Sequence, residues 1–296
     1  MVTPSEQGRS TSERKETLEG KTPVLIAGLP GKMATLVTKA INRSEDFTLP
    51  NICLSSDRHP LISIGENDEE RLLYAIPSYR PRDSIKLKSH LHSGLIAVDF
   101  TTPQAVNKNA ELYAEMGIPF VMGTTGGNRQ KLVETVKNSE ISAVIAPNMA
   151  VEVVRIQHAI ETLAQNAPGV FKDWRMEIKE SHQASKKDVS GTAKALQAQL
   201  EQLGAVMEED IISIRDLKIQ EELGIKNLSG HAYHWITLQS PDGVSTLSFR
   251  TKIEGRQPYV NGTMVALKFL QEKIRAGSKG EVFSMVDVLR AQTGAK

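Results

Sequence analysis

The sequence predicts an α/β protein: a domain built on a parallel sheet, followed by an α+β domain built on a mixed or antiparallel sheet. Between residues 23 and 150, short apolar runs alternate with helical stretches, and each run ends in small polar residues. That is the layout of repeated strand–helix–strand units. Beyond residue 150 the strand-like runs instead alternate apolar with polar side chains, as in sheets with one covered face. At 296 residues the chain is long enough for two domains, each with its own core.

The first unit opens with Pro23 to Ala27, an apolar strand followed at once by G-L-P-G-K-M. Met33, Leu36, Val37, Ala40 and Ile41 then mark one face of a helix. Strand, glycine turn and helix make the opening of a dinucleotide-binding unit, in which Gly28 and Gly31 let the backbone approach a pyrophosphate. Ala34 stands where a further glycine is usual. Asn51 to Ser55 reads as the second strand, running into S-D-R-H. Ser56, Arg58 and His59 suit a 2′-phosphate, while Asp57 suits a ribose, so the expected cofactor is NADPH with NADH open.

Glu66 to His92 is polar, carries Pro77 and Pro81, and identifies no chemistry. Order returns with the strand Leu95 to Phe100, then T-T-P and a helix presenting Val106, Ala110 and Tyr113. I-P-F-V-M is the next strand and runs into Gly123, Thr124 and Thr125. A helix with Leu132 and Val136 leads to the strand Ile141 to Ala146 and the loop Pro147, Asn148, Met149. Open parallel sheets bind ligands beyond the carboxyl ends of their strands. Gly28, Thr101, Gly123 to Thr125 and Asn148 all stand at such ends.

In the second unit, a helix with Ile156, Ile160 and Leu163 precedes a strand in which Trp174, Met176 and Ile178 alternate with Arg175, Glu177 and Lys179. Then comes E-S-H-Q-A-S-K-K-D-V-S-G-T, Glu180 to Thr192. It sets His182, Lys186 and Lys187 in one loop before a helix whose apolar face is Ala193, Leu196, Leu200 and Leu203. An imidazole can carry a proton at neutral pH, the lysines supply positive charge, and a helix N-terminus at Ser190, Gly191 and Thr192 attracts an anion. Together they suit a small carboxylated substrate. Two further strands, His231 to Leu238 and Val244 to Ile253, flank a Ser240-Pro-Asp-Gly243 turn, and the exposed faces of this sheet suit subunit contact. Gly262 to Ile274 is helical, and V-F-S-M-V-D-V-L-R is expected to fold back on the first domain.

Composition excludes several classes. Lys+Arg at 36 against Asp+Glu at 35 leaves a net charge of +1, which does not favour nucleic acid. No apolar run is long enough to span a bilayer. The single cysteine, Cys53, fits a reducing compartment. Residues 1–22 read as a flexible tail; they lack an apolar signal core and carry Glu6, Glu13, Glu16 and Glu19, against a transit peptide. A cytoplasmic location is expected. No metal is expected, because His231 and His234 lie three apart with no evident third ligand.

From Val24 to Arg290 the motifs G-L-P-G-K-M, V-D-F-T-T-P, M-G-T-T-G, A-P-N-M and E-S-H-Q-A-S-K-K-D-V-S-G-T-A occur in an order that resembles the dihydrodipicolinate (4-hydroxy-tetrahydrodipicolinate) reductases of lysine biosynthesis. The resemblance implies a Rossmann-like domain over 23–150 completed by 258–296, a substrate and oligomerisation domain over 151–257, and a homotetramer. It implies His182 as the catalytic acid and Lys186 as the catalytic lysine, with Gln183, Ser190, Gly191 and Thr192 at a dicarboxylate substrate. The cofactor contacts it implies are Gly28, Leu29, Pro30, Gly31, Lys32 and Met33, then Phe100 and Thr101, Gly123, Thr124 and Thr125, and Ala146, Pro147, Asn148 and Met149. Two departures stand out. Gln183 replaces a second histidine, and D-V-S-G-T is one residue shorter than the usual D-A-P-S-G-T. The shorter loop leaves Lys187 as a substitute for Lys186. Another Rossmann-fold oxidoreductase acting on a small carboxylated imine or amino acid, and a non-catalytic NADPH-binding protein, stay open as alternatives.

Overall fold

The structure, a computed structural model, describes residues 20–55, 61–66, 69–77 and 94–293. Ser56 to His59, with the Arg58 expected at a 2′-phosphate, and residues 1–19 of the expected tail lie outside the described residues. The described chain forms two compact units, one of residues 1–147 and 263–284, the other of 148–262 and 285–296.

The first unit is Rossmann-like. Its strands are β1 (Thr22–Ala27), β2 (Phe47–Thr48), β3 (Ile52–Leu54), β4 (Leu61–Glu66), β5 (Glu69–Ile76), β6 (Ile96–Asp99), β7 (Phe120–Met122) and β8 (Ala143–Ile145), with helices α1 (Lys32–Asn42), α2 (Val106–Met116) and α3 (Arg129–Lys137) between them. A late strand, β14 (Val282–Phe283), completes the sheet in the order β14-β8-β7-β6-β1-β3-β5-β4, with β2 also on β1. All pairs are parallel except β4 with β5. From β1 the chain adds β3 on one side and later β6 on the other. This is the reversal point at which such sheets bind ligands. The central strands are buried on both faces, as their unbroken apolar runs require: Val24, Leu25, Ile26 and Ala27 are all 0–1% exposed.

The stretch from Glu66 that showed no pattern contains β5, paired with β4 as an antiparallel edge. Its signal was hidden because Leu72 and Tyr74 are apolar yet outward-facing, at 52% and 60% exposure, which blurs the period of two.

The second unit holds α4 (Val151–Asn166), β9 (Arg175–His182), α5 (Gly191–Gln202), β10 (Val206–Met207), β11 (Ile212–Ile214), α6 (Leu217–Glu222), β12 (His231–Gln239) and β13 (Thr246–Glu254). β12 pairs antiparallel with β9 and β13, and β10 and β11 lie parallel to β9 on its other edge. The sheet is thus mixed. Met176, Ile178, Ile236 and Leu238 on one face pack with Ile160 of α4 and Leu196 and Leu200 of α5.

Helix α7 (Gln257–Arg275) begins five residues before the expected Gly262, and α8 (Met285–Thr293) ends the described chain. The terminal segment was expected to rejoin the first domain as a whole. Its strand does so beside β8, but α8 groups with the second unit, where it packs on α4. Val288 and Leu289 are its buried apolar anchors. Among the described residues, no helix is long and apolar enough to cross a membrane.

Candidate functional site

In the first unit, register brings the expected cofactor residues together. β1, β6 and β7 are neighbours, so Gly28, Phe100 and Gly123 emerge side by side. Gly28 has φ +107°, and a Cβ there would stand 2.1 Å from the Phe100 carbonyl oxygen. A Cβ on Gly123 would stand 2.3 Å from the Phe100 ring. Only glycine fits either position, which is the close backbone approach a dinucleotide cradle requires. Gly31 N–H donates to the Gly28 carbonyl at 2.8 Å and leads into α1, which has no side-chain cap, so its first amides are open to an anion. Leu29 is buried, Lys32 is exposed and Met33 is half-buried. These features fit a nicotinamide dinucleotide.

A residue not assigned from the sequence organises these loops. Asp99, fully buried at the end of β6, accepts from the Thr101 hydroxyl at 2.7 Å, the Thr124 hydroxyl at 2.8 Å, Asn109 Nδ2 at 2.7 Å and the Tyr113 hydroxyl at 2.9 Å. Thr101 N–H also donates to Thr124 Oγ1 at 2.7 Å, which locks the loops after β6 and β7 together. Burial first, and Asp99 second, pushes the Tyr113 phenol well up, so it stays a donor. Thr125 is exposed, and Ala146 N–H joins the Met122 carbonyl at 3.0 Å, aligning the end of β8 with that of β7.

The second unit holds the other cluster. Along β9, alternate residues share a face, so Met176, Ile178, Glu180 and His182 lie in one row. The partner row on β12 is Leu238, Ile236, His234 and Ala232. Both rows therefore change from apolar to titratable at the same level. His182 is the last residue of β9, at the strand end, because the ladder to Ala232 extends the strand that far. His231 and His234 were expected simply to flank a sheet. They point to opposite faces, His234 into this cluster and His231 onto Ser181, where Nε2 meets Oγ at 2.9 Å.

Glu180 is the hub. It is fully buried and accepts from Arg215 Nη2 at 2.6 Å, the Ser213 hydroxyl at 2.9 Å and Ser190 N–H at 3.0 Å. His182 Nε2 stands 3.5 Å from its Oε2, and His234 Nε2 stands 3.9 Å away. Burial pushes the Glu180 carboxyl up, but the donors around it, His182 first and then Ser190, Arg215 and Ser213, hold it well below the usual carboxylate range. Ser190 caps α5 by accepting from Ala193 N–H at 3.0 Å. Its Oγ also hydrogen-bonds with His234 Nε2 at 2.9 Å, and His234 Nδ1 pairs with Thr251 Oγ1 at 3.0 Å.

The expected pair of His231 and His234 is split between the two faces of the sheet, and a different trio assembles around His234. Glu180, His182 and His234 offer atoms within 4.8 Å of one another. The Arg215 guanidinium already compensates the only carboxylate among them, which makes the cluster an ion-pair hub in character.

Around it, Gln183 and Lys186 are half-buried, and Lys186 N–H donates to the Gln183 carbonyl at 2.9 Å. Lys187 is exposed. Gly191 and Thr192 form the first turn of α5, and Asn148 Nδ2 donates to Thr192 Oγ1 at 3.3 Å. Pro147 is exposed, whereas Met149 is buried with its carbonyl lodged against Gly262. A charged side chain at an inward-facing strand position was the available signal for Glu180, His234 and Asp99. Nothing in the sequence pointed to Arg215 or Gln220.

Acid should weaken this cluster. Burial, with the nearby His182 charge second, pushes His234 down to about 4 from an ordinary 6.5. The unfolded chain therefore takes up a proton that the folded state refuses. The stabilisation is fully present above pH 6.5 and is lost as pH falls through about 4. His231, also pushed down by burial, acts in the same direction. Denaturant unfolding measured from pH 7 to pH 4 is expected to show a loss of about 3 kcal/mol from His234, and His234→Gln to flatten the slope. An identical slope in the variant would place the acid sensitivity elsewhere.

Comparison with known proteins identifies the family. The family profile "Dihydrodipicolinate reductase, N-terminus" matches residues 22–149, and "Dihydrodipicolinate reductase, C-terminus" matches residues 139–289. The 4-hydroxy-tetrahydrodipicolinate reductase 1, chloroplastic, of Arabidopsis thaliana is 40% identical over 279 residues, covering 90% of this chain and 77% of the relative. A probable 4-hydroxy-tetrahydrodipicolinate reductase 2, chloroplastic, of Oryza sativa subsp. japonica is 38% identical over 273 residues, covering 90% and 83%. The solved dipicolinate-bound dihydrodipicolinate reductase from Paenisporosarcina sp. TG-14 shares the fold, with a TM-score of 0.61 at 19% identity over 90% of this chain and 98% of that one. Matched in both halves and in chain order from residue 22 to 289, the chain belongs to the dihydrodipicolinate reductase family.

Proposed function

We propose that the chain reduces 4-hydroxy-tetrahydrodipicolinate, or its dehydrated form, to tetrahydrodipicolinate in lysine and diaminopimelate biosynthesis. The observation that carries this is the second unit's cluster: an imidazole 3.5 Å from a buried carboxylate, beside a Ser190-capped helix N-terminus and a half-buried lysine. A reduced nicotinamide supplies hydride when bound. Its holders would be Gly28 to Met33, Phe100, Thr101, Gly123 to Thr125 and Ala146 to Met149.

The substrate is a cyclic imine with two carboxylates and a conjugated C=C. Reduction adds two electrons and one hydrogen to that system, so negative charge builds toward the ring nitrogen and adjacent carbon until a proton arrives. His182 donates that proton, and Glu180 supplies its counter-charge at 3.5 Å. Lys186 sets positive charge against a carboxylate and the developing anion. Gln183 adds a hydrogen bond, and Ser190, Gly191 and Thr192 bind a carboxylate at the helix terminus. Lys186 is favoured over Lys187 because it is the half-buried one.

NADPH is the proposed cofactor, on the Ser56-Asp57-Arg58-His59 sequence after β3. The chain is proposed to be a homotetramer, supported by the face of the second unit's sheet opposite α4 and α5, which carries the half-buried Trp235. A reducing, cytoplasmic setting suits the buried thiol of Cys53. The test is oxidation of NADPH in the presence of the enzymatically generated substrate. Steady turnover is expected, and binding of NADPH without turnover would sink the proposal. Titration of Arg58→Ala should show at least a tenfold loss for NADPH and little change for NADH, since a charge-assisted phosphate contact is worth about 1.5–3 kcal/mol. Equal losses would remove Arg58 from phosphate recognition.

A further inference from the structure

The parallel ladder between β11 and β9 ends at the pair Ile214 and Ser181. Past that pair, side chains take over. Gln220 Nε2 donates to the His182 carbonyl at 2.8 Å and to the Ile214 carbonyl at 3.1 Å. Arg215 Nε donates to the Lys186 carbonyl at 2.9 Å, and its Nη2 reaches the Asp188 carbonyl at 3.4 Å while holding Glu180 at 2.6 Å. The one buried residue of α6 is this polar Gln220, at 0% exposure, although Leu217 and Ile219 beside it are 50% and 47% exposed. A surface helix that buries an amide and exposes its leucine and isoleucine is not placed there by hydrophobic packing. Asp216 caps α6 through Lys218 N–H and Ile219 N–H, which sets the amide's direction.

We infer that Arg215 and Gln220 are positioning residues for the reaction: Arg215 fixes the backbone that carries Lys186, and Gln220 fixes the backbone that carries His182. The inference deepens the proposed function and rests on its assignment of those two side chains. It also explains how a loop one residue shorter than the family's keeps Lys186 in place. The guanidinium grips the carbonyls at 186 and 188, on both sides of Lys187. Neither residue needs to touch substrate. A displacement of about 1 Å in a catalytic group costs on the order of 10²-fold in rate.

Arg215→Lys keeps a cation for Glu180 but loses the separate Nε and Nη2 donors with which the planar guanidinium reaches the two carbonyls. Its kcat/KM for the imine is expected to fall about 10- to 100-fold, with NADPH affinity within about twofold of wild type. In a Lys186→Ala background the same change is expected to cost less than about threefold, because it acts through a group already removed. Gln220→Met should behave oppositely: its effect multiplies on Lys186→Ala and vanishes on His182→Gln. Effects of Arg215→Lys that multiply fully on Lys186→Ala would make Arg215 a merely structural residue and overturn its role. Should Arg215→Lys fail to fold, the Gln220→Met cycle decides, and wild-type turnover in Gln220→Met overturns the brace. An inert wild type sinks the functional proposal and this one with it; an active wild type with unaffected variants sinks this one alone.

Discussion

His182→Gln is expected to lower turnover by about 10²–10⁴, the usual contribution of a general acid, and to leave NADPH affinity nearly unchanged. Glutamine can still fill the space and donate a hydrogen bond, but it cannot release a proton at neutral pH. The cluster itself should survive. Glu180 keeps its three short hydrogen bonds to Arg215, Ser213 and Ser190, and His182 is at a strand end with its carbonyl held by Gln220. Loss of turnover without loss of folding would separate chemistry from structure. The measurements are single-turnover NADPH oxidation and a fluorescence titration of NADPH on the same preparation. Turnover at the wild-type rate would remove His182 from the mechanism.

Glu180→Gln is expected to cost about 3–5 kcal/mol of stability, the penalty for breaking a buried ion pair from one side. The shape is conserved, so little packing is lost. What changes is the balance of charge: the Arg215 guanidinium, 18% exposed, loses the carboxylate at 2.6 Å. The new amide also places an NH₂ among donors, namely Ser190 N–H and the Ser213 hydroxyl. Denaturant unfolding of the second unit is the direct measurement. A companion Glu180→Gln, Arg215→Met variant should recover much of the loss, because removing both charges leaves no unpaired ion. A loss under about 1 kcal/mol in the single variant would mean that solvent reaches the pair and screens it.

The alternation of strand and helix in the first unit was readable because a parallel sheet buried on both faces demands continuous apolar strands, and Val24 to Ala27 and Ile96 to Val98 supply them. Gly28 and Gly123 were readable for a different reason: each answers a close approach of Phe100 that no side chain permits. β5 was not readable, because its outward positions carry Leu72 and Tyr74. The last helix was assigned to the wrong unit because an apolar stripe says that a helix is buried, not which core buries it.

The sequence by itself determined the two sheet types, the glycine turn, and the short stretch in which His182, Lys186 and the Ser190 turn follow one another. These are local matters, set by periodicity and by residues within one loop. Only the tertiary structure decided that Glu180 is the hub, that His234 from β12 and Arg215 from beyond β11 close around it, and that Gln220 holds the backbone of His182. Those contacts join positions 35 to 54 residues apart, and strand register and the loss of water, which no local pattern records, make a carboxylate, two imidazoles and a guanidinium into one cluster.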